Sequence, residues 1–261
     1  MQQDEDSVEV TPRAESSNRA RRRKGIYLLP NLLTTAALSC GFFAITSSIN
    51  GRYESAAVAI IVALVLDGLD GRVARLTNTQ SDFGAQYDSM ADVVSFGVAP
   101  AILMYTWALA PLGKLGWVAA FVHMAGGALR LARFNVQLEV DDKRFFQGLP
   151  SPAAGGVLAC FVWVSFEYAF GYNWLPYAIL VLTAATGLLM VSNLRYYSFK
   201  DIDLRGKVPF VVACGVMFAF SIIFAQPPAT LFLLFLGYAL SGPIHTVLMI
   251  HKKRNARIDS E

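Results

Sequence analysis

Asp67-Gly68-Leu69-Asp70-Gly71-Arg72-Val73-Ala74-Arg75, followed by Gly84, Asp88 and Asp92, sets four carboxylates and two arginines within or against long apolar runs. Runs of that kind cross membranes. An ionisable side chain at the bilayer centre costs at least ~2.5–3.5 kcal/mol, so a charge kept there points to function. At about 100° per residue, Asp67, Asp70, Gly71, Ala74 and Arg75 fall within one arc of a helix. Gly84, Asp88 and Asp92 recur every fourth residue and line one face of the next helix. Two such faces opposed gather four carboxylates around one cavity, the oxygen cage that a hard cation such as Mg²⁺ takes. The structural alternative is a buried ion pair of Asp67 or Asp70 with Arg72 or Arg75. It leaves more carboxylates than two arginines neutralise, and like charges this close are best reconciled by a divalent cation.

Outward from this stretch, the chain is that of a membrane protein. Hydrophobic residues make up 55% of the 261 and charged residues 16%, with a mean hydropathy of +0.45, which excludes an average soluble domain. Eight apolar runs follow one another at about 32–50, 54–76, 86–109, 115–134, 152–171, 175–193, 208–226 and 228–250. Each is close to the ~20 residues that cross the hydrocarbon core. Backbone satisfaction in lipid makes them helices, so the expected fold is all-α, with about eight transmembrane helices. A hydropathy scan is expected to undercount the second and third, which the carboxylates interrupt. Cys40, Cys160 and Cys214 stand singly in separate runs without metal-type spacing and read as small buried hydrophobes.

Residues 1–24 read as a disordered polar tail ending in the basic run Arg19 to Lys24, 25–251 as the transmembrane domain, and 252–261 as a short basic tail. The Arg run beside an apolar span suits anionic headgroups better than nucleic acid, and a secretory signal fits poorly. With the amino terminus inside, all 22 Lys and Arg except Arg52 and Lys114 fall in inner segments or at inner span ends. That bias places both termini in the cytoplasm and the Asp cluster at the cytoplasmic ends of the second and third spans. Pro30 reads as an early residue of the first span's opening turn.

Written as a pattern, Asp67-x2-Asp70-Gly71-x2-Ala74-Arg75-x8-Gly84-x3-Asp88-x3-Asp92 resembles the signature of the CDP-alcohol phosphotransferase family, with all eight specified positions present. The resemblance implies that Asp67, Asp70 and Asp88 are metal ligands, joined by Asp92, which is also the general base. It sets Gly71, Ala74, Arg75 and Gly84 against the CDP moiety. Asn31, Thr34 and Ser81 complete the CDP-diacylglycerol-binding set with Asp67 and Asp70. Two Mg²⁺ or Mn²⁺ ions, a homodimer, and a cytoplasmic-membrane location with the active site facing the cytoplasm are implied in the same way. Membrane lipids are the surroundings, and nucleic acid is not a partner.

The fourth run ends Ala128-Leu-Arg130-Leu-Ala-Arg133-Phe-Asn135, and the next loop carries Gln147-Gly148-Leu-Pro150-Ser151-Pro152. Snorkelling at a span end followed by a Pro/Gly turn explains these residues structurally. Together they also resemble the phosphatidylserine synthase branch of the family, whose acceptor is L-serine. The resemblance makes Arg130, Arg133, Asn135 and Ser151 acceptor-binding residues, and a guanidinium suits a carboxylate through its bidentate fork. The implied reaction moves the phosphatidyl group of CDP-diacylglycerol to the serine hydroxyl. Two alternatives stay open. One is the same chemistry with glycerol 3-phosphate or an inositol compound, for which Arg130, Arg133, Lys143 and Arg144 would form a basic pocket. The other is a cation transporter, though no internal repeat is visible. His123 is expected to make a structural hydrogen bond to a neighbouring helix.

Overall fold

Apolar runs that leave water must satisfy every backbone N–H and C=O from within, and this chain does so with helices. The computed structural model describes residues 13–77, 79, 81–137, 145–168, 174–197 and 210–258. Among them are eight helical rods. They are α1 (Arg13–Ile49), α2 (Tyr53–Thr77), α3 (Asp82–Leu112) and α4 (Lys114–Gln137), then α5 (Ser151–Glu167), α6 (Leu175–Val191), α7 (Phe210–Ala225) and α8 (Pro227–Ile258). Of the stretch expected to be a tail, residues 1–12 lie outside the described residues, and α1 already runs from Arg13. Pro30 therefore stands inside α1, not in its first turn. Proline removes one backbone donor, and the helix continues on both sides of it.

Stretches within α1, α3, α4 and α8 are long and apolar enough to cross a membrane, and α5 and α6 are shorter apolar helices of 17 residues each. At 1.5 Å per residue, 17 residues span about 25 Å, the low end of what the hydrocarbon core requires. The chain thus has the architecture of a polytopic membrane protein. The expected undercount falls on α2 alone. In α3 the carboxylates are confined to the first turns, and the rest is apolar enough to pass. Exposed Phe42, Val181, Leu233 and Leu248 cover the outside with apolar surface, which suits lipid and not water. Parts of the expected fifth and seventh runs, 169–171 and 208–209, lie outside the described residues.

Small residues set the closest packing. Ala56, Ala57, Ile60 and Ala63 form the buried stripe of α2, along which α1 packs, and α5 lies against α2 and α8. These residues share one core with Phe96, Leu103, Leu158 and Ile179. Gly126 and Gly187 let α4 and α6 meet backbone to backbone. Cys160 is buried among apolar residues, as expected.

One feature departs from an all-helical fold. Phe145–Gln147 pairs antiparallel with Arg195–Tyr197, with Phe146 opposite Tyr196. Three residues per strand are too few for an alternating pattern to show in the sequence. The ribbon leads into α5 through Gly148, whose φ of +79° no other residue adopts easily. A Cβ there would also collide with the Met190 carbonyl oxygen. Tyr196 is fully buried and donates its hydroxyl to the Ala239 carbonyl of α8 at 3.0 Å. Burial pushes its phenol up to about 12. A Cβ at Gly242 would strike the Tyr196 ring, so glycine there lets the ribbon dock on α8.

Candidate active site

Helix periodicity delivers the carboxylates from two rods: Asp67 and Asp70 from the second half of α2, Asp88 and Asp92 from the first turns of α3. Ser81 starts α3, its hydroxyl accepting from the Gly84 N–H at 3.1 Å, and so fixes where Asp88 and Asp92 point. One oxygen from each of Asp67, Asp70 and Asp88 lies within 4.8 Å of the other two. Asp92 joins them through a side-chain contact with Asp67. The buried Asp70 is oriented by Thr34 of α1, which donates to its Oδ2 at 2.7 Å.

Asp88 Oδ1 and Asp92 Oδ1 are buried without a hydrogen-bond partner among the described residues. Buried carboxylate oxygens without donors, packed beside two further carboxylates, are the condition that a bound cation relieves. All four carboxylates offer hard oxygens, the donor type that suits a hard divalent cation. The residues present therefore fit a divalent ion. Arg72 and Arg75 are exposed, and Arg75 acts on Asp70 as a through-space charge. The ion-pair alternative is thus not what gathers the cluster.

The other residues of the sequence pattern lie along the same helices. A Cβ on Gly71 would approach the Arg75 guanidinium at 3.5 Å, so the two are neighbours across one turn. Gly84 faces Asn31 Oδ1 and Ser81 Oγ, at 3.4 and 3.1 Å from where its Cβ would stand. The Ala74 carbonyl accepts from the Thr79 N–H at 3.1 Å and turns the chain after α2. Asn31 and Thr34, from the middle of α1, thus reach Gly84 and Asp70, while Gly71, Ala74 and Arg75 lie in the second half of α2 and Ser81 and Gly84 at the start of α3.

The expected acceptor residues divide. Arg130 of α4 is only 9% exposed, its Nη1 donates to Ser151 Oγ at 2.9 Å, and its Nε has no partner among the described residues. Its charge lies within electrostatic reach of Asp92, Tyr238 and Asp67. Arg133 instead donates to Asn193 Oδ1 at 3.1 Å. Asn135 bonds with Ser89 Oγ at 3.2 Å and Gln86 Oε1 at 3.4 Å on α3. Arg130 and Ser151 thus meet beside the carboxylates, while Arg133 and Asn135 brace the end of α4. Lys143 and Arg144 lie outside the described residues. His123 is wholly buried and bonds to Thr186 and to the Phe96 carbonyl, the structural role expected of it. Sequence reasoning missed Tyr238, which only the docking of α8 brings near Arg130, and no local pattern marks it.

A polytopic helical bundle with a cluster of buried carboxylates and a buried arginine beside it is the setting in which a membrane protein can hold a divalent cation. The comparisons with known proteins agree. The model of the CDP-alcohol phosphatidyltransferase family matches residues 27–212, and this chain belongs to that family. It is 36% identical over 227 residues to a CDP-diacylglycerol–serine O-phosphatidyltransferase of Helicobacter pylori, covering 87% of this chain and 94% of the relative. A protein of the same description from Bacillus subtilis is 37% identical over 172 residues, covering 66% of this chain and 91% of its own length. An archaetidylserine synthase of Methanothermobacter thermautotrophicus is 36% identical over 170 residues, 64% of this chain and 69% of that protein.

Proposed function

We propose that this chain transfers the phosphatidyl group of CDP-diacylglycerol to the hydroxyl of L-serine, giving phosphatidylserine and CMP. The observation that carries the choice of acceptor is Arg130, buried within electrostatic reach of Asp92 and Asp67 and with Nε unpartnered among the described residues. A buried guanidinium without a carboxylate of its own suits the carboxylate that serine brings. Serine held there would turn its hydroxyl toward Asp92. The relatives' descriptions support the reading, since both phosphatidyl- and archaetidyl-transferring proteins among them are named for serine.

In this reading Asp92 takes the hydroxyl proton and the serine oxygen forms a bond to the phosphorus that carries diacylglycerol. The bond from that phosphorus to the CMP oxygen breaks, and CMP leaves with the electron pair. Two Mg²⁺ or Mn²⁺ ions held by Asp67, Asp70, Asp88 and Asp92 would, when bound, neutralise charge on the diphosphate and the departing CMP. Thr34 holds Asp70 in place, and Arg75 offers a further phosphate contact. Asn31, Gly71, Ala74, Ser81 and Gly84 leave room for the nucleotide and border it. Proton removal accounts for ~10²–10⁴-fold of the rate, and positioning and electrostatics supply the rest. The reading includes eight spans with both termini and the site on the cytoplasmic side of the cytoplasmic membrane, supported by the distribution of Lys and Arg. It also includes a homodimer, on the family resemblance alone.

Purified protein given labelled CDP-diacylglycerol and a panel of serine, glycerol 3-phosphate and inositol compounds tests the reaction. Label is expected in phosphatidylserine, and transfer to another alcohol in its place would overturn the assignment. Arg130→Lys is expected to raise the KM for serine about tenfold or more, the scale of one charge-assisted hydrogen bond. CDP-diacylglycerol affinity should stay nearly unchanged. Arg133→Lys, whose partner is Asn193, should leave serine use nearly intact. Equal loss of both substrates in Arg130→Lys would make Arg130 a folding residue.

A further inference from the structure

Pro100 lies four residues after Phe96 inside α3, and proline has no N–H to offer the carbonyl one turn back. The helix widens there. Val93–Val98 is a π segment, closed by the Ala99 N–H reaching five residues back to the Val94 carbonyl. His123 of α4 supplies a donor for the Phe96 carbonyl through Nε2, at 3.1 Å. A carbonyl only accepts, so Nε2 carries the proton; Nδ1 lies 2.8 Å from the Thr186 hydroxyl of α6, whose single proton is shared between Nδ1 and the Thr183 carbonyl, also at 2.8 Å. Two glycines close the grip. A Cβ on Gly41 would lie 2.9 Å from Ser95 Cα, and one on Gly155 3.2 Å from Phe96 Cα. A second π segment, Tyr105–Leu109, is held in the same manner by the Tyr53 hydroxyl on the Thr106 carbonyl, at 3.0 Å.

The first π segment begins directly after Asp92. Its extra residue sets the rotation of the carboxylate-bearing end of α3 relative to the buried stretch Ala99–Met104. Relaxation to α-helical spacing would turn that end by about 100°, carrying Asp88 and Asp92 off Asp67 and Asp70. We propose that His123 is a positioning residue for the metal-binding carboxylates: its bond to the Phe96 carbonyl holds the π turn that aims Asp88 and Asp92 at Asp67 and Asp70. The proposal rests on the metal reading of that cluster and is independent of the acceptor.

The test compares wild type, His123→Leu and His123→Gln by Mn²⁺ binding followed by electron paramagnetic resonance, by steady-state kinetics, and by thermal melting in detergent. Glutamine can donate to Phe96 and accept from Thr186, whereas leucine fills the space without either bond. His123→Leu is expected to weaken Mn²⁺ binding about tenfold, the scale on which groups behind metal ligands act. It should also lower kcat about tenfold or more, with the KM for serine within about twofold of wild type. His123→Gln should recover most of both. Wild-type Mn²⁺ affinity in folded His123→Leu would overturn the proposal, and so would a His123→Gln variant as impaired as the leucine one. If His123→Leu does not fold, Thr186→Val, which removes the hydroxyl that Nδ1 meets, takes its place and is expected to show a smaller loss in the same direction; unchanged Mn²⁺ affinity and kcat in it would count against the proposal. A wild type that binds Mn²⁺ but ignores serine would count against the assigned reaction, with the Mn²⁺ comparison still deciding the positioning.

Discussion

Asp67→Asn, Asp70→Asn and Asp88→Asn are each expected to lower turnover by ~10²–10³-fold or more, the scale on which loss of one preorganised charge-stabilising group is felt. Metal-strengthened binding of CDP-diacylglycerol should be lost with it. The three carboxylates offer oxygens within 4.8 Å of one another, so each would hold a cation that the other two also touch. Asparagine keeps the shape and removes the anion. The amide oxygen is a weaker ligand for a hard ion, and one full negative charge leaves the site. Asp70→Asn has a second effect, since Thr34 now donates to an Asp70 oxygen and an amide turned the wrong way would present nitrogen to it. Metal titration of activity, read beside binding of labelled CDP-diacylglycerol with and without Mn²⁺, checks the set. A variant with undisturbed metal dependence would strike that residue from the ligands.

Asp92→Asn is expected to behave differently, binding CDP-diacylglycerol and metal almost normally while turnover falls by ~10²-fold or more. Asp92 stands one turn beyond Asp88 along α3, touches Asp67, and lies within reach of the Arg130 charge. It is the carboxylate that both contacts Asp67 and feels the Arg130 charge. Its Oδ1 has no partner among the described residues, which suits an oxygen that receives a proton from a substrate. Asp92→Glu keeps a base but displaces it, and should recover only part of the rate. Single-turnover kinetics beside equilibrium binding separate the cases. A wild-type rate in Asp92→Asn would end the general-base assignment, and lost nucleotide-lipid binding would move Asp92 wholly into the metal site.

The carboxylate cluster was legible because helical offsets of three and four residues carry it. Asp67 and Asp70 share a face whatever surrounds them, and so do Asp88 and Asp92. Eight rods were legible for a similar reason, since apolar length is written locally. What lay beyond reading was pairing between distant elements. Arg130 and Arg133 look alike in sequence, and only the docking of α4, α5 and the turn after α6 gives one to Ser151 and the other to Asn193. His123 bonds neighbouring helices as expected, but which partners it takes was not legible: Thr186 of α6 and the Phe96 carbonyl of α3, which Pro100 leaves without its usual donor. The sign of that orphan, Pro100 four places after Phe96, was present in the chain. The ribbon of Phe145–Gln147 and Arg195–Tyr197 was not visible at all, because three residues cannot show a period.

The packing of α2 on α1 has a consequence for how the protein is made. At a helix centre each Asp or Arg opposes membrane insertion by up to ~2.5–3.5 kcal/mol, and α2 carries Asp67, Asp70, Arg72 and Arg75 in its second half. Alone it is a poor candidate to leave the translocation channel for lipid. The turn between α1 and α2 is only a few residues long, with Gly51 at a φ of +73°, and the two helices lie along each other. We expect them to enter the bilayer together as a hairpin. In a chain truncated after Thr77 and extended by a neutral linker, α2 is expected to resist alkaline extraction from the membrane only when α1 is intact. The Thr34–Asp70 bond would then form at birth, and half of the carboxylate cluster would be in place before α3 leaves the ribosome.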